Sequence, residues 1–227
     1  MNDRKAGMST NPKRTAYAAF AAVAKALGHE HRLELLELVA QGERTVERLA
    51  ECSGLTVANV SQHLQHLRRA GLVSARRQAK FVFYTLADPG VLTLLASLRS
   101  VAERNAAEVH LILRTYFHER DAMEPVPRTE LMRRIKDKTV IVLDVRPEDE
   151  YALGHIAGAR NVPLSRLKRH LSKLDSKLEV IAYCRGPYCV MSFEAVAALR
   201  KLGFKARRLE DGLPEWRAAG LPVEVGN

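Results

Sequence analysis

Two of the three cysteines in this chain of 227 residues enclose a short loop, Cys184-Arg-Gly-Pro-Tyr-Cys189. The run before it, Leu178-Glu-Val-Ile-Ala-Tyr183, is short and apolar like a buried strand, and the stretch from Val190 to Leu202 has helical spacing. Strand, tight loop and helix put the loop at the carboxyl end of a parallel strand, where α/β proteins bind ligands. Backbone N–H groups of a curled loop, with the helix N-terminus behind it, favour negative charge. A cysteine at the first loop position therefore has its thiolate stabilised and becomes a nucleophile, and the same cradle suits a persulfide anion. Cys184 is the candidate reactive residue, with Arg185, Gly186, Pro187, Tyr188 and Val190 around it. Cys189 is a candidate resolving thiol, able to attack a sulfur-modified or oxidised Cys184 if the two Cα atoms lie within about 7 Å. The competing reading is that Cys189 only packs at the start of the helix.

The elements that position this loop belong to the second of two regimes. From about Tyr17 to Arg120 the apolar spacing is helical with one interruption; Asp121-Ala-Met-Glu-Pro-Val-Pro-Arg128 then reads as a linker, and βα-like alternation follows. The expected division is a flexible basic tail over 1–14, a first domain over 15–120, a linker over 121–128 and a second domain over 129–227. In the first domain the spacing predicts helices over Ala16–Leu27, Glu30–Ala40 and Thr45–Cys52, the last with Thr45 as N-cap. A turn at Ser53-Gly54-Leu55 leads to a helix over Thr56–Ala70 that Gly71 stops. Leu72–Leu86 alternates like a hairpin with Arg76, Arg77, Gln78, Ala79 and Lys80 at its tip, and Pro89 opens a long final helix running past Leu98 and Val101 to Val109.

Three helices followed by a basic-tipped hairpin describe a winged helix-turn-helix. In the helix over Thr56–Ala70, Val60, Leu64 and Leu67 share one face and must bury. Ala58, Asn59, Ser61, Gln62, His63, Gln65 and His66 are left outward, with amide, hydroxyl and imidazole groups suited to base edges in the major groove. Arg68, Arg69, Arg76, Arg77 and Lys80 suit phosphates, and Thr56 at the helix start completes the DNA-facing set. The net charge of +10 favours polyanionic partners, but it is spread over both halves and marks no face by itself. No apolar stretch approaches a membrane span, and the polar N-terminus lacks the apolar core of an export signal. Three cysteines make no disulfide scaffold for a chain this size and fit a reducing compartment, so the expected setting is cytoplasmic.

Ala26-Leu-Gly-His-Glu-His-Arg-Leu33, Val60-Ser-Gln-His-Leu-Gln-His-Leu-Arg-Arg-Ala-Gly-Leu-Val73 and Phe81-Val-Phe-Tyr-Thr-Leu86 closely resemble the ArsR/SmtB family of bacterial repressors. The resemblance covers roughly residues 15–120 and implies a homodimer, built through the first and last helices, on a palindromic operator. Family metal sites are not matched. The third helix has the single thiol Cys52, read as a small core residue, and a lone cysteine makes no multi-thiolate site. The last helix offers His110, His118, Glu119 and Asp121 without the family's Asp-x-His partner, and it lacks a cysteine for sulfur sensing. No metal and no cofactor are expected. Leu143-Asp-Val-Arg-Pro-Glu-Asp-Glu-Tyr151, Gly154-His-Ile-Ala-Gly-Ala159, Asn161-Val-Pro163 and Gly212-Leu-Pro-Glu-Trp-Arg-Ala-Ala-Gly-Leu-Pro-Val223 resemble the rhodanese family over about residues 128–224. That resemblance implies that Cys184 carries sulfane sulfur, and that Asp144, Arg146, His155 and Trp216 hold the fold. The sixth loop residue is Cys189 where sulfurtransferases of the family end in a cation, and Val190 stands where phosphatase-like relatives carry Arg.

The expected fold is thus a mainly α winged helix-turn-helix domain plus an α/β rhodanese-like domain with a parallel sheet. The function it suggests is a DNA-binding repressor whose second half senses sulfane sulfur or oxidants through Cys184. The expected partners are operator DNA, a second copy of the chain, and a persulfide or thiosulfate-like sulfur donor or an oxidant, with no membrane. The alternative is a working sulfurtransferase, with the winged helix serving dimerisation or localisation.

Overall fold

The computed structural model describes residues 11–112, 115, 125–170, 175 and 177–226. Backbone contacts divide the chain into two compact units. One runs to Val39 and resumes over Arg44–Asp88; the other combines Ala40–Glu43 with Pro89–Asn227.

In the first unit, α1 (Pro12–Leu27) starts where the Asn11 side chain accepts from the N–H groups of Lys13 and Arg14. Pro12 takes the first helical position, where its missing N–H costs nothing. The helix thus begins inside the stretch expected as a tail; of that tail, residues 1–10 lie outside the described residues. In α2 (Glu30–Ala40), Leu35, Leu36, Leu38 and Val39 are buried. α3 (Val46–Ser53) is capped by Thr45 and stopped by Gly54, whose φ of 70° is left-handed and whose N–H returns to the Ala50 carbonyl. α4 (Val57–Arg69) is capped by Thr56 and buries Val60, Leu64 and Leu67. A three-stranded sheet closes the unit in the order β1 (Arg44–Thr45), β3 (Phe81–Leu86), β2 (Val73–Gln78). The short β1 is not legible as a strand in the sequence, because two residues carry no periodicity.

The second unit opens with α5 (Gly90–Asn105), which stops short of the single helix expected through Val109. Ala106 is extended at φ −99° and ψ 115°, and a separate α6 (Ala107–Ile112) follows. The Asn105 side chain donates to the Val101 carbonyl at 2.8 Å, an i−4 back-bond of the kind that weakens or bends a helix. Next come α7 (Arg128–Lys136), β4 (Val140–Asp144), α8 (Glu148–Ala152), β5 (His155–Ile156), β6 (Arg160–Asn161) and α9 (Leu167–His170). The remainder is β7 (Glu179–Tyr183), α10 (Val190–Lys201), β8 (Ala206–Arg208), α11 (Leu213–Ala218) and β9 (Val223–Glu224). Four strands form one parallel sheet in the order β6-β4-β7-β8, and β5 pairs antiparallel with β9.

Strand alternation sorts side chains onto two covered faces. Ile141, Leu143, Val180, Ala182 and Cys184 pack with Ala195, Val196 and Leu199 of α10. Val142, Ile181 and Tyr183 pack on the other face with Leu131 of α7 and with Leu213 and Trp216 of α11. Strands covered on both faces read as continuous apolar runs, which is why β4 and β7 are visible in the sequence. The expected linker ends early. Val126 is fully buried, bridges Leu209 in parallel and donates its N–H to the Arg208 carbonyl at 2.8 Å. Residues 125–128 therefore belong to the sheet unit, while 121–124 lie outside the described residues. Among the described residues, no helix is long and apolar enough to cross a membrane.

Candidate functional site

Cys184 follows directly from β7 and continues its alternation, so its side chain enters the layer beneath α10. Cys189 is the N-cap of α10 and reaches the same layer. The two are joined as a disulfide with Cα atoms 6.1 Å apart, inside the span a disulfide bridges. It is Cys189, not Cys184, that stands at the helix N-terminus, where partial positive charge favours a thiolate. The loop between them is held at several points. Cys189 N–H donates to the Gly186 carbonyl at 3.1 Å, and Leu213 N–H donates to the Cys184 carbonyl at 3.3 Å. The Arg185 guanidinium grips both oxygens of the fully buried Glu150 at 2.6 to 3.1 Å, so the cation of the loop is engaged in an ion pair. The Tyr188 hydroxyl donates to Glu103 of α5, and its pKa is pushed up by burial first and then by that carboxylate. Val190 is 38% exposed and opens α10. Pro187 is half-buried and Gly186 is buried.

Beneath the loop lies a fully buried polar network. Arg146 pairs with Asp144 through Nε at 3.0 Å and Nη2 at 2.5 Å, and it also donates to the Gly154 carbonyl at 2.8 Å. Burial opposes the guanidinium charge, but hydrogen bonding and attraction from Asp144 outweigh it and leave the Arg146 pKa raised. The Tyr183 hydroxyl donates to Asp144 at 2.6 Å and accepts from Ile156 N–H at 3.0 Å; burial, then Asp144, pushes its pKa well up. Gln41 completes the network. Its Oε1 accepts from Arg146 Nη1 at 3.2 Å, and its Nε2 donates to the Arg185 carbonyl at 3.1 Å. His155 stacks on Tyr151 with ring centroids 3.6 Å apart, and the Trp216 ring N–H donates to the Pro222 carbonyl at 2.9 Å.

Gly212 is required by close approach. A Cβ there would fall on the backbone of Arg185 and Gly186, which no side-chain rotation can clear. Gly212→Ala is therefore expected to cost about 1–3 kcal/mol through overpacking and to slow closure of the Cys184–Cys189 bond after reduction. Thermal melts and timed thiol trapping measure both; wild-type values in the two would show that the loop has slack there.

The residues expected to face DNA lie in the first unit. Thr56, Asn59, Gln62, Gln65, His66, Arg68 and Arg69 are exposed on α4, and Ser61 is half-buried. The Thr56 hydroxyl accepts from Asn59 N–H at 3.2 Å and so acts as a helix cap. His63 turns inward. Its ring lies 4.6 Å from that of His29 and 5.8 Å from that of His31, and its Nδ1 is buried with no partner among the described residues. Burial first, then the charges of His29, Arg32, His31 and His66, lower its pKa. On the wing, Arg76, Arg77 and Lys80 are exposed; Arg76 lies over the Phe83 ring at 5.2 Å and Lys80 over Phe81 at 5.3 Å. Cys52 is half-buried and takes no part in the disulfide. Among the described residues no cluster of His, Cys, Asp or Glu is poised for a metal ion; His118, Glu119 and Asp121 lie outside them, as does the His110 side chain.

Sequence reasoning misses Gln41, Glu103 and Glu150 as groups that hold the loop. Glu150 lies within a rhodanese landmark; Gln41 and Glu103 carry no sequence signal, since their partners are distant in the chain.

A winged helix-turn-helix with a polar, cation-flanked second helix, and a parallel α/β unit bearing a cysteine loop at a strand end, define a transcriptional regulator with a rhodanese-like domain. The family model for bacterial regulatory proteins of the arsR family matches residues 29–75, and that for the rhodanese-like domain matches residues 127–219. The HTH-type transcriptional regulator Rv0324 of Mycobacterium tuberculosis is 40% identical over 225 residues, covering 99% of this chain and 95% of that protein. The chain therefore belongs to the ArsR family of transcriptional regulators, in the form that carries a rhodanese domain. The regulator Rv0081 of the same species is 43% identical over 81 residues, 35% of this chain and 71% of that protein. The uncharacterized protein YqhL of Bacillus subtilis is 31% identical over 112 residues, 49% of this chain and 86% of that protein.

Proposed function

We propose that this protein is a homodimeric repressor whose affinity for a palindromic operator is set by the sulfur or redox state of Cys184. The observation that carries the reading is the Cys184–Cys189 bond at the end of β7, in a chain that belongs to a family of DNA-binding regulators. In the proposed cycle the Cys184 thiolate attacks the sulfane sulfur of a low-molecular-weight persulfide, R–S–SH; the donor S–S bond breaks, R–S⁻ leaves and Cys184 becomes a persulfide. The Cys189 thiolate then attacks Cys184 Sγ, the new S–S bond breaks, hydrosulfide leaves and the disulfide remains. Two thiolates are thereby oxidised and one sulfane sulfur is reduced to HS⁻. DNA is held through Asn59, Ser61, Gln62, Gln65 and His66 at base edges, and through Arg68, Arg69, Arg76, Arg77 and Lys80 at phosphates. The apolar residues that α1 and α5 leave exposed, Tyr17 and Phe20 on one and Leu94, Leu98 and Val101 on the other, suit burial in a dimer.

Fluorescence anisotropy on selected operator DNA tests this, with wild type, Cys184→Ser and Cys189→Ser compared before and after treatment with glutathione persulfide. Wild-type affinity is expected to shift by about 5- to 150-fold, the range of ordinary allosteric coupling, and Cys184→Ser not at all. Cys189→Ser is expected to stop at the persulfide, which mass spectrometry reads as one retained sulfur. Equal affinity in every state, together with rapid thiocyanate formation from cyanide, would replace the sensor by a sulfurtransferase.

A further inference from the structure

Both sulfurs lie in buried residues in the disulfide state: Cys184 is 1% and Cys189 8% exposed. A persulfide donor reaches Cys184 Sγ only in a loop arrangement different from this one. Any change between the two states is felt by the groups that grip the loop, and two of these come from outside the sheet and its own helices. Gln41 holds the carbonyl of Arg185, the residue bonded directly to Cys184, and Glu103 of α5 holds the hydroxyl of Tyr188.

Gln41 is built to register displacement of that carbonyl. It is fully buried, and its other end is tied to Arg146, which is itself locked on Asp144 and on the Gly154 carbonyl. One side of the amide is therefore a fixed reference and the other reads the loop. If the Arg185 carbonyl moves away, the hydrogen bond from Gln41 Nε2 either breaks or draws the segment that carries Gln41 with it. The segment is closely packed on its next residue: at Gly42, with φ +153°, a Cβ would lie 3.1 Å from the Leu153 side chain. Gln41 is also the residue after Ala40, the last residue of α2, and Arg44 begins β1 three residues on. Displacement at Gln41 thus passes along the chain into α2 and β1. α5 holds the other end of the loop and also α11. Arg99 pairs with Glu215 at 2.7 Å, and Glu215 accepts from the N–H of Gly212 at 3.2 Å.

We propose that Gln41 is the positioning residue through which the state of the Cys184–Cys189 loop is passed to α2 and β1, with Glu103 as the second grip. This rests on the sensor reading above and names its route.

The test uses the full chain as Gln41→Glu, Gln41→Ala and Glu103→Ala beside wild type. Operator affinity is measured in the reduced and the persulfide-treated state, and thiol state is determined by mass spectrometry on the same samples. Gln41→Glu keeps an oxygen for Arg146 but replaces the donor to Arg185 by a carboxylate oxygen, whereas Gln41→Ala removes the side chain without adding charge; what the two share is loss of the donor to the loop carbonyl. The wild-type ratio between states, about 5- to 150-fold, is expected to fall below about twofold in Gln41→Glu and Gln41→Ala and to be reduced in Glu103→Ala. The disulfide still forms in all three, and reduced-state affinity stays at the wild-type value. A full ratio in either Gln41 variant overturns the inference and leaves the sensor reading standing, as does a Gln41 variant in which the disulfide no longer forms. No ratio in wild type overturns the sensor reading instead. Should the Gln41 variants fail to fold, an unchanged ratio in Glu103→Ala overturns the two-grip route.

Discussion

Arg146→Ala is expected to destabilise the second unit by about 3–5 kcal/mol, the penalty for removing one partner of a buried ion pair. Asp144 and Arg146 are both fully buried, and the guanidinium also serves Gly154 and Gln41, so its removal leaves the buried carboxylate without its countercharge and takes a hydrogen-bond donor from a carbonyl and an amide. Asp144→Leu with Arg146→Met is expected to cost much less, because no charge is then left unpaired. The chain has one tryptophan, and Trp216 is fully buried in this unit, so its fluorescence in urea follows the unit by itself. A midpoint for Arg146→Ala equal to that of wild type would show that Asp144 finds another partner or is reached by water.

Alanine at Gln62 or Gln65 is expected to weaken operator binding by about 1–3 kcal/mol each, the value of a good bidentate base pairing, and to relax preference at one base pair. Alanine at Arg76, Arg77 and Lys80 acts differently. Phosphate contacts carry no sequence information, so specific and non-specific DNA are both expected to weaken. The slope of log affinity against log salt should become shallower by about 0.9 for each phosphate that is no longer neutralised. Titrations at several salt concentrations on operator and scrambled DNA separate the two. If the wing substitutions left the salt slope unchanged, these cations would not lie on phosphates. If the α4 substitutions altered only the slope, base reading would have to come from other residues.

The contrast between His63 and its neighbours shows where a helix pattern stops being informative. Val60, Leu64 and Leu67 announce the buried face, and Gln62, Gln65 and His66 lie clear of it. His63 sits beside that face, one residue before Leu64 and four before Leu67, and only the placement of His29 and His31 decides that it turns inward. The same limit applies at the ends of elements. Thr45, Thr56, Gly54 and Gly71 mark helix ends correctly because capping and left-handed turns are local chemistry. The break at Ala106 and the pairing of Val126 with Leu209 do not show, since the apolar spacing runs on through the first and the second needs a partner 83 residues away in the numbering.

The two fold types are legible in the sequence, because strands covered on both faces write apolar runs and packed helices write a period near 3.6. The polar helix followed by a basic wing, and the loop with its two cysteines five positions apart, are legible there too. Tertiary structure alone decided that Cys184 and Cys189 share one layer beneath α10, that Arg185 is engaged by Glu150, and that Gln41 and Glu103 grip the loop. The physical reason is range. Capping, turns and periodicity are contests between residues a few positions apart, whereas Gln41 and Arg185 are 144 positions apart and meet only once the chain has folded.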